Sequence, residues 1–336
     1  MEPLLQVRGL RTWFYTEDGV AKAVDGVDFE IDRERTLGVV GESGCGKSVT
    51  ALSIMGLVRD PPGRIVAGEI LYHRPEGVLD LARQDPRGPT MRTIRGNEIA
   101  MIFQEPMTSL NPVYTIGNQI VEAIVLHQKR KPREAKAQAV EMLRAVGISN
   151  PERRVDSFPH ELSGGMRQRA MVAMALSCNP RLLIADEPTT ALDVTIQAQV
   201  IELMAELRVK FHASLMFITH DLGIVANIAD DVAVMYLGKI VEKGPVRAIF
   251  HDPKHPYTLG LMNSIPAINS ERGKRLVPIE GVVPSPWDIP AGCVFAARCP
   301  RVMDRCLLSL PELVEVSSEH RVACWLHAAL PAGAKA

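Results

Sequence analysis

Four short segments of the chain carry residue types at spacings that suit phosphate or metal chemistry. The run Gly41-Glu42-Ser43-Gly44-Cys45-Gly46-Lys47-Ser48 follows the pattern of a glycine-rich phosphate loop, G-x-x-x-x-G-K-S. Glycines let backbone N–H groups turn inward around phosphate oxygens, and a helix opening directly afterwards aims its positive end at them. Lys47 adds a point charge for the β and γ oxygens, and the Ser48 hydroxyl suits a magnesium ligand. Arg181 to Glu187 (RLLIADE) is an apolar run ending in two carboxylates. Successive residues at a strand end diverge in direction, so Asp186 can hold the metal through water while Glu187 polarises an attacking water as general base. Leu162-Ser163-Gly164-Gly165-Met166 lies between these two segments, ahead of a helical pattern with Met171, Met174 and Ala175. It reads as a second phosphate-binding helix start, with a plain Ser163 helix cap as the bland alternative. Finally, Cys293, Cys299, Cys306 and Cys324 are spaced C-x5-C-x6-C-x17-C, which lacks the paired C-x2-C knuckles of common zinc fingers yet gathers four thiols within 32 residues.

Alternating strand and helix patterns must position these groups. Residues 4–40 alternate as strands do and end in the apolar run Thr36 to Val40, a buried strand that stops at the first glycine of the loop. Ser48 to Val58 has helical spacing, which gives strand, loop and helix in order. Ile99 to Phe103, Leu182 to Ala185 and Leu215 to Thr219 read as further buried strands. Residues 112–147 predict two amphipathic helices, with Ile116, Ile120 and Ile124, then Val140, Leu143 and Val146, on their apolar faces. The basic run 129–133 (KRKPR) between them is expected to be a solvated loop rather than a nucleic-acid patch. Strands alternating with helices imply an α/β fold around a largely parallel sheet. Beyond about residue 245 the texture turns proline-rich and cysteine-bearing, which predicts a separate appendage.

Bulk properties narrow the class. Lys plus Arg (38) nearly balances Asp plus Glu (39), so no strong overall field draws the chain to nucleic acid or anionic lipid. The N-terminal MEPLLQVRGL has none of the parts of a signal peptide, and apolar runs such as 51–58 and 170–176 fall far short of the roughly 20 residues a spanning helix needs. Secretion and membrane crossing are therefore not expected, and the six cysteines suggest metal ligands and packed thiols rather than disulfides.

Taken in order, the loop at 41–48, Gln104 after a strand, LSGGM at 162–166, LLIADE at 182–187, Ala191-Leu192-Asp193 and His220 after a strand closely resemble the ABC ATPase family. Phe103 to Pro112 (FQEPMTSLNP), Asp186 to Gln197 (DEPTTALDVTIQ) and His255-Pro256-Tyr257-Thr258 narrow the resemblance to the ATP-binding subunits of dipeptide and oligopeptide importers. The departures are small: Glu105 stands where Asp is frequent, and Cys45 occupies a variable loop position. The resemblance implies a P-loop NTPase core over 1–245 with a helical subdomain at about 105–177, and a small Cys-containing C-terminal appendage over 246–336. It implies that Gly41, Ser43, Gly44, Cys45, Gly46, Lys47, Ser48 and Val49 bind ATP, with Phe14 as the adenine platform among the adjacent Trp13, Phe14 and Tyr15. Ser48, Gln104 and Asp186 would hold Mg2+. Glu187, His220 and Gln104 would be catalytic, His220 by contacting the γ-phosphate. Ser163, Gly164 and Gly165 would bind the γ-phosphate held by a second subunit, with Asp193 in the same interface.

The expected partners are a second ABC ATPase subunit in a heterodimer, two transmembrane permease subunits and an extracytoplasmic substrate-binding protein, with no nucleic acid. The expected place is the cytoplasmic face of the inner (plasma) membrane, held there peripherally. The four-cysteine set resembles the [4Fe-4S] ligands of some of these subunits, with zinc as the alternative. Two rival readings are an ABC-type ATPase acting on DNA or ribosomes, which would show a coiled-coil insertion or a duplicated ATPase unit, and a regulatory subunit that binds ATP without hydrolysing it. The presence of both Glu187 and His220 argues against the second.

Overall fold

The computed structural model describes residues 2–104, 109–190, 193–264 and 278–327. Glu105 to Thr108 and the Ala191-Leu192 pair, both part of the motifs above, lie outside the described residues. The strands in chain order are β1 (Pro3–Thr16), β2 (Gly19–Asp32), β3 (Thr36–Val40), β4 (Gly63–Arg74), β5 (Gly77–Asp80), β6 (Ile99–Ile102), β7 (Leu182–Asp186), β8 (Ser214–Thr219), β9 (Asp231–Tyr236), β10 (Lys239–Pro245), β11 (Val314–Ser317) and β12 (His320–Val322). The principal helices are α1 (Lys47–Ile54), α2 (Ile116–Gln128), α3 (Pro132–Ala145), α4 (Gly164–Leu176), α5 (Val194–Lys210), α6 (Leu222–Ile228) and α7 (Pro256–Asn263). Two compact units share the chain. The first comprises Met1–Leu5, Ile31–Thr36 and Tyr72–Ile218, and the second Gln6–Glu30, Leu37–Leu71 and Thr219–Ala336.

In the first unit β6, β7 and β8 run parallel, with Ile99 opposite Leu182 and Leu182 opposite Ser214. Every residue of β7 and β8 is buried, as their unbroken apolar runs require of strands covered on both faces. The two amphipathic helices appear as α2 and α3. Lys129, in the left-handed region at φ 54°, closes the first, and Pro132 opens the second where its missing N–H costs nothing. The basic run between them is exposed. Ile116, Ile120, Ile124, Leu143 and Val146 are buried as expected, while Ala139 takes the inward place expected of Val140, which is half-buried. Both helices pack on α4.

In the second unit β3 lies parallel to β9, with Val40 opposite Val234, and β9 to β10 and β10 to β12 are antiparallel. Residues 320–322, near the end of the described chain, thus join the same sheet as the strand that delivers the phosphate loop. The core here is continuous. Val40, Val232, Val234, Tyr236 and Tyr257 pack with Val294 and Phe295, and the rings of Tyr236, Tyr257 and Phe295 sit 4.7–5.3 Å apart. Buried Glu242 on β10 is fully employed, accepting from the backbone N–H groups of Lys254 and His255 at 2.6 and 2.9 Å and pairing with His320 Nε2 at 2.8 Å. The strands β2, β1 and β4 are neighbours in a second sheet, tied to α1 by a 2.8 Å bond between the Thr12 and Ser53 hydroxyls. Among the described residues no helix is long and apolar enough to cross a membrane.

Candidate active site

The phosphate loop belongs to the second unit. All five residues of β3 are buried, and the chain leaves Val40 through Gly41 into a turn that ends at Gly46, the residue before α1. Gly46 has φ 104° and ψ 3°, a left-handed geometry, and a Cβ there would lie 2.2 Å from the Ala23 carbonyl oxygen, so only glycine fits. Gly44 is also left-handed, at φ 78°, but faces open space. Lys47 is buried, and its Nζ donates to the carbonyls of Gly41 (2.8 Å) and Glu42 (3.0 Å), which folds its ammonium group over the loop. Ser43 and Gly44 are exposed, and Ser48 and Val49 are half-buried on the first turn of α1. Burial pushes the Cys45 thiol up despite the Lys47 charge beside it, which keeps it a packed, unreactive group.

The aromatic trio on β1 is divided by its surroundings. The Phe14 ring packs against Gly63, where a Cβ would come within 2.5 Å of it, while Lys22 lies over Trp13 and the Arg64 guanidinium stacks on exposed Tyr15 at 4.6 Å. His220 follows β8 and is exposed, so it is not a core histidine, and Asp221 after it caps α6 by accepting from the N–H groups of Gly223 and Ile224.

The acidic strand end belongs to the first unit. Because β6 and β7 are parallel and Ile102 is opposite Ala185, the residues just beyond both strands emerge at one level. Gln104 Nε2 donates to Glu187 Oε2 at 3.0 Å, and the Thr190 hydroxyl donates to the same oxygen at 3.2 Å. Asp186 is buried and Glu187 half-buried, the latter at φ 44°, an uncommon and strained conformation for a glutamate. Its N–H is fixed by the Ile218 carbonyl at 2.9 Å.

The LSGGM segment opens α4. The Ser163 hydroxyl caps α4 by accepting from the Met166 N–H at 3.3 Å, while Ser163 and Gly164 remain exposed at the start of a 13-residue helix. Gln168, buried one turn on, donates to the Pro188 carbonyl and so ties this helix to the segment that follows Glu187. Exposed Asp193 caps α5 through the Ile196 N–H at 3.0 Å. The structure thus brings Gln104 to Glu187 in one unit, while the loop with Lys47, and separately Phe14 and His220, belong to the other.

The four C-terminal cysteines are gathered. The Cys293 N–H donates to the Cys306 carbonyl at 2.7 Å, and the Arg301 N–H donates to Cys299 Sγ at 3.4 Å. Cys293, Cys306 and Cys324 are buried and Cys299 is half-buried. Burial first, and the neighbouring thiolates next, push the Cys293 thiol up to about 11, and Cys299 and Cys324 are raised in the same way. Thiols whose ionisation burial opposes, as at Cys293, Cys299 and Cys324, are groups that a positively charged centre would relieve. Among the described residues, no three such side chains converge closely enough for a single metal ion.

Sequence reasoning missed Tyr257 Oη, which accepts the Glu42 N–H at 2.9 Å, and Arg298, whose fork holds the Glu42 carboxylate at 2.6 and 3.0 Å. A carboxylate inside an anion-binding loop demands a counter-charge, which was a usable signal. It does not say which arginine supplies it.

The chain matches the ABC transporter family over residues 24–190 and the oligopeptide/dipeptide transporter C-terminal region over 241–306. It is 52% identical to the oligopeptide transport ATP-binding protein AppD of Bacillus subtilis, across 97% of this chain and 98% of the relative. It is 48% identical to the dipeptide transport ATP-binding protein DppD of the same organism across the whole of both chains. The dimeric ATP-binding cassette MJ0796, solved in a post-hydrolysis state with ADP and Pi, shares the fold at a TM-score of 0.63, with 22% identity over 72% of this chain and 99% of that one. With a phosphate loop after β3, an Asp-Glu pair ending β7 and these relatives, the chain belongs to the ABC transporter ATP-binding proteins that carry the oligopeptide/dipeptide type of C-terminal region.

Proposed function

We propose that this chain binds and hydrolyses ATP and couples that hydrolysis to the uptake of dipeptides or oligopeptides through separate membrane subunits. The observation that carries this reading is Glu187, a strained carboxylate at the end of a buried parallel strand, held by Gln104 and Thr190 in a chain that also has a complete phosphate loop. Names of relatives at about half identity over nearly the full length support the peptide cargo.

The roles follow from the side chains. Gly41, Ser43, Gly44, Cys45, Gly46, Ser48 and Val49 present backbone N–H groups and the α1 N-terminus to the phosphates, and Lys47 exchanges its contacts with the Gly41 and Glu42 carbonyls for the β and γ oxygens. Phe14 is the proposed adenine platform. Ser48, Gln104 and Asp186 are oxygen donors of the kind magnesium prefers, and the ion supplies neutralisation of phosphate charge. Glu187 accepts the proton of the attacking water, Gln104 orients that water and reports nucleotide state to a membrane subunit, and His220 contacts the γ-phosphate.

Ser163, Gly164 and Gly165, with Asp193, form the surface offered to a second ATPase subunit, whose nucleotide they complete. The outward exposure of Ser163 and Gly164 suits that role. The partners proposed are that second subunit in a heterodimer, two permease subunits and an extracytoplasmic binding protein, with the chain held at the cytoplasmic face of the inner membrane. Its functional division is 1–245 for nucleotide, with a helical subdomain at about 105–177, and 246–336 as the appendage. Within the appendage Cys293, Cys299, Cys306 and Cys324 hold a [4Fe-4S] cluster of structural role. The long, unequal spacing of these four thiols suits a centre with four separate corners better than a tetrahedral zinc ion, which is commonly held by two short knuckles.

The test is Glu187→Gln. The amide keeps the shape but cannot take the proton, so ATP binding should persist while turnover falls by about 100- to 10,000-fold. Unchanged turnover removes Glu187 as the base.

A further inference from the structure

Glu42, the second residue of the phosphate loop, is gripped at every polar group it has. Its carbonyl accepts from Lys47 Nζ at 3.0 Å, its N–H donates to Tyr257 Oη at 2.9 Å, and its carboxylate is held by both terminal nitrogens of Arg298 at 2.6 and 3.0 Å. Two of these partners come from far along the chain, 215 and 256 residues away. They arrive on the C-terminal segment that also carries the four cysteines, and Arg298 immediately precedes Cys299.

The Arg298 side chain is itself held in place. Only 4% of it is exposed, its Nε donates to the Glu280 carbonyl at 3.0 Å, one terminal nitrogen donates to the Ile279 carbonyl at 3.2 Å, and the other reaches the Tyr236 hydroxyl at 3.4 Å. Beneath it, Tyr236, Tyr257 and Phe295 form the ring cluster that fixes the backbone on either side. This differs from a surface ion pair between two mobile side chains, which contributes little. A buried, pre-oriented fork meeting a carboxylate in bidentate geometry is among the strongest side-chain contacts proteins make. Its point of application is one residue from Gly41 and Ser43, in the stretch whose carbonyls receive Lys47.

We propose that Arg298 is a positioning residue for the phosphate loop. Its grip on Glu42 sets the loop in its phosphate-binding shape, so the fold of the cysteine-bearing appendage governs nucleotide affinity. The contribution acts through Glu42 and leaves the hydrolytic groups Glu187, Gln104 and His220 untouched. The proposal rests on the nucleotide-binding reading above and adds to it a residue and a direction of control.

The experiment is a double-mutant cycle on the full chain, reading the Kd of N-methylanthraniloyl-ATP by fluorescence and KM against kcat for ATP. Arg298→Ala and Glu42→Ala should each raise Kd and KM by about tenfold, in line with losing one strong charged contact, with kcat at saturation held. The double variant should match either single variant, because both remove one contact. Arg298→Lys keeps the charge without the fork and should restore affinity in part. Circular dichroism checks each fold, and should Arg298→Ala misfold, Glu42→Ala carries the test from the loop side. Wild-type Kd in Arg298→Ala or in Glu42→Ala, or an Arg298→Ala effect of full size in the Glu42→Ala background, overturns the proposal. Wild-type protein and Lys47→Ala are titrated alongside. Absence of binding by the wild type overturns the nucleotide reading and this proposal with it, whereas a binding wild type with an unaltered Arg298→Ala overturns this proposal alone.

Discussion

Two alanine substitutions in one loop should have very different consequences. Gly44 and Gly46 are both left-handed, at φ 78° and 104°, so each replacement carries the strain of an L-residue in that region, about 1–2 kcal/mol. For Gly44→Ala that is the whole cost, because nothing lies within 4 Å of the new methyl group. If the loop must hold this shape to bind phosphate, affinity falls by about 5- to 30-fold. Gly46→Ala adds a contact at 2.2 Å with the carbonyl oxygen of Ala23, a backbone atom of β2, and one at 2.9 Å with Met235 Cε. The methionine can swing away, but the gap between 2.2 Å and ordinary contact at 3.4 Å must be opened by backbone movement. The residue that moves is the one before Lys47, and a misplacement of about 1 Å is enough to cost about 100-fold. The assay is titration with a fluorescent ATP analogue, supported by the rise in Tm that saturating ATP gives each variant. Gly46→Ala should bind at least an order of magnitude more weakly than Gly44→Ala, and equal affinities would refute the steric reasoning.

Further outcomes follow from the second unit. His255 is fully buried, accepts the Tyr257 N–H at Nδ1, and burial pushes its pKa down to about 3. The unfolded chain therefore takes up a proton below about 6.5 that the folded chain refuses until about 3, so stability should fall on acidification through that window by about 1.4 kcal/mol per pH unit. His255→Gln keeps an acceptor and should flatten the dependence of Tm on pH, and an unchanged slope would show that other groups set it. Protein purified without oxygen should be brown and hold about four iron atoms per chain. A colourless preparation with one zinc would replace the cluster.

Much of the arithmetic of this fold is local and could be read from the sequence. β3 runs from Thr36 to Val40, as its apolar run and the glycine after it demand, and β7 ends on Asp186 as the run before two acids demands. The break between α2 and α3 sits in the basic run with Pro132 because proline cannot continue a helix. The helix expected to reach Val58 instead ends at Ile54, since Gly56 at φ 60° turns the chain. The contact of Gln104 with Glu187 was implicit in two motifs but needed the parallel register of β6 and β7 to become a distance. Contacts across long sequence separations left no periodic trace. Glu242 with His320 and Glu42 with Arg298 are single pairings between distant segments, and only the sheet made by β10 and β12 and the packing around Phe295 select them.

ATP hydrolysis by this chain is coupled to peptide movement across a membrane. The chain should be purified with its membrane subunits, placed in proteoliposomes with a labelled dipeptide or oligopeptide and the binding protein outside, and supplied with ATP within. Uptake should require ATP, track its hydrolysis, and vanish in Glu187→Gln while nucleotide binding remains. ATP turnover by the intact complex with no peptide accumulation, or uptake undiminished by Glu187→Gln, would show that this coupling does not occur.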